Sequence, residues 1–252
     1  MPKHPVFFVG AGPGDVELIT VKGQRLLAEA DVIIYTGSLI NTKLLAGCQA
    51  EKYDSAGLHL KQIIDLIIKS SAEGKKIVRL HTGDPSVFGA IREQMQALEE
   101  NNIACQIVPG VSSAFGAAAS LGKELTLPEV SQTVIITRME GRTPVPERES
   151  IKSLAAHRAT MMIFLSVSML DKLAEDLQKG GYEQDTPAAV VYKATWSDEK
   201  IIRGTLASIA GQVRKANITK TAMVCVGRVF SDEKIEVMSK LYDQEFQHGS
   251  RN

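Results

Sequence analysis

The apolar run Val6-Phe7-Phe8-Val9 breaks off into Gly10-Ala11-Gly12-Pro13-Gly14-Asp15, a pattern that predicts a short strand turning sharply at its carboxyl end. Glycine lets the backbone turn tightly and approach a ligand closely, and in open α/β sheets ligands bind outside the carboxyl ends of strands. A dinucleotide loop would read G-x-G-x-x-G, with an acidic residue about twenty positions on. Here the third glycine comes one position early, and Pro13 lacks the N–H that a phosphate would need. The second predicted strand, Val32-Ile33-Ile34-Tyr35, runs into Thr36-Gly37 with no carboxylate for a ribose. A purely structural turn stays open at this point.

Short β-branched runs alternate with helical stretches along all 252 residues, the signature of an α/β protein with mainly parallel sheets. The first half predicts strands Val6–Val9, Val32–Tyr35, Lys76–Leu80 and Cys105–Val108, and helices Val21–Ala30, Leu60–Ser71, Ala90–Glu100 and Ser112–Leu121. Near Gly122–Pro128 the rhythm resets. Strands Thr133–Thr137, Met161–Leu165, Ala188–Tyr192, Lys200–Arg203 and Ala222–Val226 follow, and the run after Tyr192 is too closely spaced for a helical crossover, so it predicts a hairpin. The expectation is two α/β domains, residues 1–124 with a mainly parallel sheet and 125–252 with a mixed one.

Lys plus Arg equal Asp plus Glu at 29 each, so no overall field draws the chain to nucleic acid or to an anionic membrane. Cys48, Cys105 and Cys225 lack C-x-x-C spacing and read as reduced thiols. Pro2, His4 and Pro5 interrupt anything like a signal peptide, and no run is long enough to span a bilayer, so a soluble, cytoplasmic protein is expected. Neither H-E-x-x-H nor G-x-S-x-G occurs, and no metal site is expected.

Further loops at strand ends carry candidate chemistry. His81-Thr82-Gly83-Asp84-Pro85-Ser86-Val87-Phe88-Gly89 puts a carboxylate at a strand's carboxyl end, suited either to a ligand or to an Asx-turn. Pro109-Gly110-Val111-Ser112-Ser113 precedes a helix of very small side chains, and its hydroxyls fit a helix cap or a ligand. The segment Arg138–Glu149, with two prolines, a glycine and several charges, predicts a long exposed loop.

Taken in order, Gly10-Ala11-Gly12-Pro13-Gly14-Asp15, Thr82-Gly83-Asp84-Pro85, Pro109-Gly110-Val111-Ser112-Ser113 and Val226-Gly227-Arg228-Val229 resemble the S-adenosylmethionine-dependent tetrapyrrole methyltransferases over nearly the whole chain. Within that family, Tyr53-Asp54-Ser55-Ala56, Arg79 to Ser86, Leu125 to Thr133 and Glu140 to Pro146 are similar to the precorrin-4 C11-methyltransferases of cobalamin synthesis. The resemblance implies two α/β domains with a cofactor cleft between them, a homodimer, and S-adenosylmethionine as methyl donor. It implies a cofactor site lined by Pro13, Thr82, Gly83, Asp84, Val87, Ser112 and Ser113, with Ser166, Ala194 and Ala222 from the second domain. Where uroporphyrinogen-III methyltransferases carry an aspartate, this chain has Thr36, so that residue's role does not transfer.

The implied substrate is a macrocycle edged by acetate and propionate groups, for which Arg138, Arg142 and Arg148 are candidate partners together with Asp54 and His81. Those arginines equally fit a solvated loop balanced by Glu140, Glu147 and Glu149. His81, Asp54, Glu140 and water all stay open as the base, and no catalytic residue is assigned. The alternatives are a same-fold enzyme acting on another tetrapyrrole, on protein as diphthine synthases do, or on ribosomal RNA. A nicotinamide-dependent oxidoreductase and a silent tetrapyrrole carrier lie outside that class.

Overall fold

The computed structural model describes residues 3–233 and Ser239. The chain divides into two compact units, Met1–Gly116 with Thr195–Ser197, and Ala117–Ala194 with Asp198–Asn252.

The first unit is built on five strands, β1 (Val6–Gly10), β2 (Val32–Tyr35), β3 (Glu51–Asp54), β4 (Ile77–His81) and β5 (Cys105–Val108). All pair in parallel, in the order β3-β2-β4-β1-β5. Helices α1 (Val21–Glu29), α2 (Leu60–Ala72) and α3 (Arg92–Glu99) supply the crossovers. Thr20 starts α1 by accepting the Gly23 N–H at 3.1 Å, and the His59 and Gln62 side chains close a capping box on α2. Both faces of the sheet are buried, as a parallel sheet requires: Val9, Val78 and Leu80 lie against Leu26 and Leu27 of α1, while Phe8, Ile34 and Ile77 meet Ile63, Ile64 and Ile67 of α2.

The second unit carries β6 (Val134–Arg138), β7 (Thr160–Phe164), β8 (Pro187–Tyr192), β9 (Lys200–Thr205) and β10 (Ala222–Val226), in the order β6-β7-β10-β8-β9. Only β6 and β7 run parallel; the expected hairpin is present as β8 and β9, in register from Pro187 opposite Thr205 to Tyr192 opposite Lys200. Helices α5 (Ile151–Ala155), α6 (Leu170–Gly180) and α7 (Ile209–Lys215) cover one face, where Met161, Ile163, Val190 and Val224 pack on Leu173, Leu177, Ile209 and Val213. The small-residue helix, here α4 (Ser113–Leu121), contains the border between the units.

The sequence reading and the structure part company at two places in the first unit. Strand β3 was not anticipated, because its sequence Glu-Lys-Tyr-Asp offers one apolar residue; it sits at the sheet edge, where pairing needs little burial. Helix α3 begins at Arg92 rather than Ala90, because Phe88 (φ 54°) and Ala90 (φ 46°) adopt left-handed backbone conformations that hold the chain out of the helix.

At the carboxyl ends of β1, β4 and β5, three glycines touch backbone to backbone. A Cβ on Gly10 would lie 2.6 Å from both the Gly110 Cα and the Gly83 carbonyl oxygen, and one on Gly110 would collide with that same oxygen. The loops are stitched together as well, with the Gly83 N–H donating to the Gly12 carbonyl at 2.8 Å and the Ala11 N–H to the His81 carbonyl at 2.7 Å. Gly110→Ala is expected to destabilise the protein by about 2–3 kcal/mol through overpacking against backbone that cannot yield, read as a lower midpoint in urea unfolding.

Candidate functional site

In the first unit, the strand-end loops gather most of the residues singled out from sequence. Asp84 accepts the Ser86 N–H through Oδ1 at 2.8 Å and the Gly110 N–H through Oδ2 at 2.9 Å. It therefore forms the Asx-turn that sequence left open and also ties the β4 loop to the β5 loop. That tie brings Gly83 against the start of α4: a Cβ on Gly83 (φ 61°) would lie 3.6 Å from the Ser113 nitrogen and 3.7 Å from the Ser112 Cα. Ser112, 5% exposed, accepts the Ala114 N–H on its hydroxyl at 3.3 Å, so it caps the helix. Thr82 is exposed beside it, and Asp84, Val87 and Ser113 are half-buried.

Pro13 is buried with its ring against Gly116, where a Cβ would come within 2.8 Å. Its carbonyl accepts the Trp196 indole N–H at 3.0 Å, and the Asp15 N–H donates to Thr195 Oγ1 at 3.0 Å. Trp196 lies so close to Gly14 that a Cβ there would overlap the indole. The glycine loop is thus covered by a tryptophan, and the N–H groups of Gly12 and Asp15 are already engaged. This argues against a pyrophosphate cradle. Sequence inspection did not single out Trp196, although it is the chain's one tryptophan.

In the second unit, Ser166, Ala194 and Ala222 follow β7, follow β8 and open β10, and antiparallel pairing places all three at the same end of these strands. Ser166 is fully buried, with its hydroxyl donating to the Phe164 carbonyl at 2.7 Å and accepting the Met139 N–H at 2.9 Å. The same strand ends hold three non-glycine residues at positive φ: Leu165 (56°), Lys193 (48°) and Thr221 (55°). Leu165 is also 69% exposed. Strained backbone of this kind costs about 1–3 kcal/mol per residue and clusters at functional sites; with no glycine or asparagine to mark these positions, sequence gave no signal.

The arginines of the 138–149 loop differ in their surroundings. Arg138 is half-buried and donates to the carbonyls of Met139, Thr143 and Pro144 at 2.9–3.3 Å, so it orders the loop itself. Arg142 is exposed. Arg148 is also exposed and lies 4.0 Å from Glu149, a pairing that contributes little in water. Asp54 accepts the Ala56 N–H at 2.8 Å and lies next to Gly37. His81, 4% exposed, stacks on Phe8, and burial together with the Arg79 charge pushes its pKa down to about 3. Among the described residues no group of His, Cys, Asp and Glu could hold a metal ion, and no helix is long and apolar enough to cross a membrane.

Residues 5–210 match the model of the Tetrapyrrole (Corrin/Porphyrin) Methylases. A Methanocaldococcus jannaschii protein named cobalt-precorrin-4 C(11)-methyltransferase is 58% identical over 99% of this chain and 96% of its own length. The Pseudomonas aeruginosa precorrin-4 C(11)-methyltransferase is 48% identical over 96% of this chain and 97% of its own. Among solved structures, a cobalt precorrin-4 methyltransferase from cobalamin biosynthesis superposes with a TM-score of 0.88 at 46% identity, over 90% of this chain and 96% of its own. The Thermus thermophilus uroporphyrin-III C-methyltransferase complexed with S-adenosylhomocysteine gives 0.75 at 27% identity, over 90% and 93% of the two chains.

Two outcomes are expected. Gly14→Ala displaces Trp196 and shifts its fluorescence emission to the red. Folded His81 takes up a proton only near pH 3, whereas the unfolded chain does so near 6.5. Stability therefore falls as pH drops from 6.5 towards 3, by up to about 1.4 kcal/mol per pH unit from this group alone. His81→Phe should flatten that slope in acid-unfolding curves.

Proposed function

The chain belongs to the tetrapyrrole (corrin/porphyrin) methylases, and from that premise we propose that it transfers a methyl group from S-adenosylmethionine to C-11 of cobalt-precorrin-4 or precorrin-4 in cobalamin biosynthesis. The observation that carries this reading is its near end-to-end likeness to relatives named for that reaction.

When bound, S-adenosylmethionine supplies an electrophilic methyl group for in-line displacement by a ring carbon. The protein's part is to bind, orient and exclude water. The first unit's strand ends carry glycines and small hydroxyl residues, and Asp84 fixes the β4 loop to the β5 loop, which supports a donor site built from these loops. We assign donor contacts to Pro13, Thr82, Gly83, Asp84, Val87, Ser112 and Ser113, and to Ser166, Ala194 and Ala222. The contact at Ser166 is through backbone, since its hydroxyl is already committed.

Substrate carboxylates fall to Arg142 and Arg148, with Arg138 setting the shape of the loop. Burial leaves His81 a weak base near neutrality, so a proton lost from the methylated ring passes to Asp54, Glu140 or water. The functional domains are taken as residues 1–124 and 125–252. A cytoplasmic homodimer is part of the same proposal, supported by the family resemblance and by three free cysteines.

The deciding test incubates the protein and S-adenosylmethionine with cobalt-precorrin-4 and with metal-free precorrin-4 in parallel, followed by mass spectrometry. One added methyl group on at least one ring is expected, and calorimetry should show binding of S-adenosylhomocysteine but not of NAD. Methyl label found only in protein or RNA would overturn the assignment.

A further inference from the structure

Two buried polar atoms at neighbouring strand ends have no hydrogen-bond partner among the described residues, Oγ1 of Thr36 and Nε2 of His81. Strands β2 and β4 run in parallel register as far as Tyr35 opposite Leu80. Thr36 and His81 each follow that last rung, two positions after Ile34 and Arg79, which pair with each other. Thr36 is half-buried as a residue, with its hydroxyl oxygen buried.

Two residues before His81 on β4 lies a cation with no counterion among the described residues. Arg79 is 3% exposed, and its guanidinium donates to two neutral acceptors, Gln94 Oε1 at 3.0 Å and the Ile34 carbonyl at 3.1 Å. Gln94 passes the restraint on, donating to the Ala90 carbonyl at 2.9 Å. Burial lowers the Arg79 pKa to about 10, so the group is still charged at neutral pH.

We propose that Thr36, His81 and the charge of Arg79 make a subsite for one carboxylate arm of the ring substrate. This rests on the functional reading above and adds the part of the site that receives the arm. Buried polar atoms in folded proteins are almost always paired, so two adjacent orphans at a strand's carboxyl end mark a place completed by a ligand group. The Thr36 hydroxyl and the His81 imidazole in its Nε2–H form both donate, and a carboxylate accepts from both. An unpaired buried guanidinium favours negative charge beside it. Asp54, the acidic neighbour across Gly37, is exposed to water and committed to the Ala56 N–H, so its repulsion is screened.

Thr36→Val and His81→Phe delete the donors while keeping the shape, the second also keeping the stack on Phe8. Both are compared with wild type for methylation of cobalt-precorrin-4 at saturating S-adenosylmethionine. The substrate KM should rise about tenfold or more in each, with the S-adenosylhomocysteine Kd within about twofold of wild type. Thr36→Ser should restore KM, and Thr36→Val should not lower the Tm, because it removes an unpaired hydroxyl. Unchanged substrate KM in Thr36→Val overturns the subsite whatever His81→Phe does, and a lowered Tm with that KM identifies a structural water bridging the two atoms instead. A wild-type protein that methylates neither ring overturns the functional reading, an outcome told apart because it needs no variant.

Discussion

Backbone contact among Gly10, Gly83 and Gly110 is the constraint on which the first unit's strand ends depend. Three adjacent parallel strands end at nearly one point, and a single methyl group on Gly10 or Gly110 would strike backbone there. Only because the chain can close to this distance can Asp84 reach the Gly110 N–H and fix the β4 loop against the start of α4. The glycines thus create the geometry and the carboxylate holds it, a division of labour that leaves Thr82 exposed and Ser113 half-buried.

Much of this was legible beforehand, for a physical reason. Strands β1 and β2, inside the first sheet, read as apolar runs because both their faces are covered, and β2, β5 and β10 occupy the residues that their sequences predict. The edge strand β3 escaped notice because pairing at an edge asks little of side chains. Asp84, Gly83, Ser112 and Ser113 were marked by turn chemistry, and the structure brings them together. Leu165, Lys193 and Thr221 could not be found this way, since their left-handed backbone is imposed by surroundings and leaves no trace in residue type. Trp196 was missed because its significance lies in a contact with residues more than 180 positions earlier, beyond the reach of any local pattern.

Arg138 shows how a residue can be correctly noticed and differently employed. Its position in a charged loop marks it as a partner for acidic substrate groups, yet its guanidinium is hydrogen-bonded to its own loop's carbonyls. Loops rich in proline and glycine have few internal hydrogen bonds, and an arginine donating to several carbonyls supplies what regular structure would otherwise provide. Arg142, exposed on the same loop, is left to face outward.

The cover over the glycine loop has a consequence for how the molecule comes into being. Pro13 and Gly14 emerge from the ribosome early, but the indole that shields them is encoded 183 residues after Pro13. Until Thr195–Ser197 has been made, the glycine turn of the first unit lacks the side chains that cover it. A fragment cut after the first 116 residues would contain all five parallel strands and still be an incomplete body.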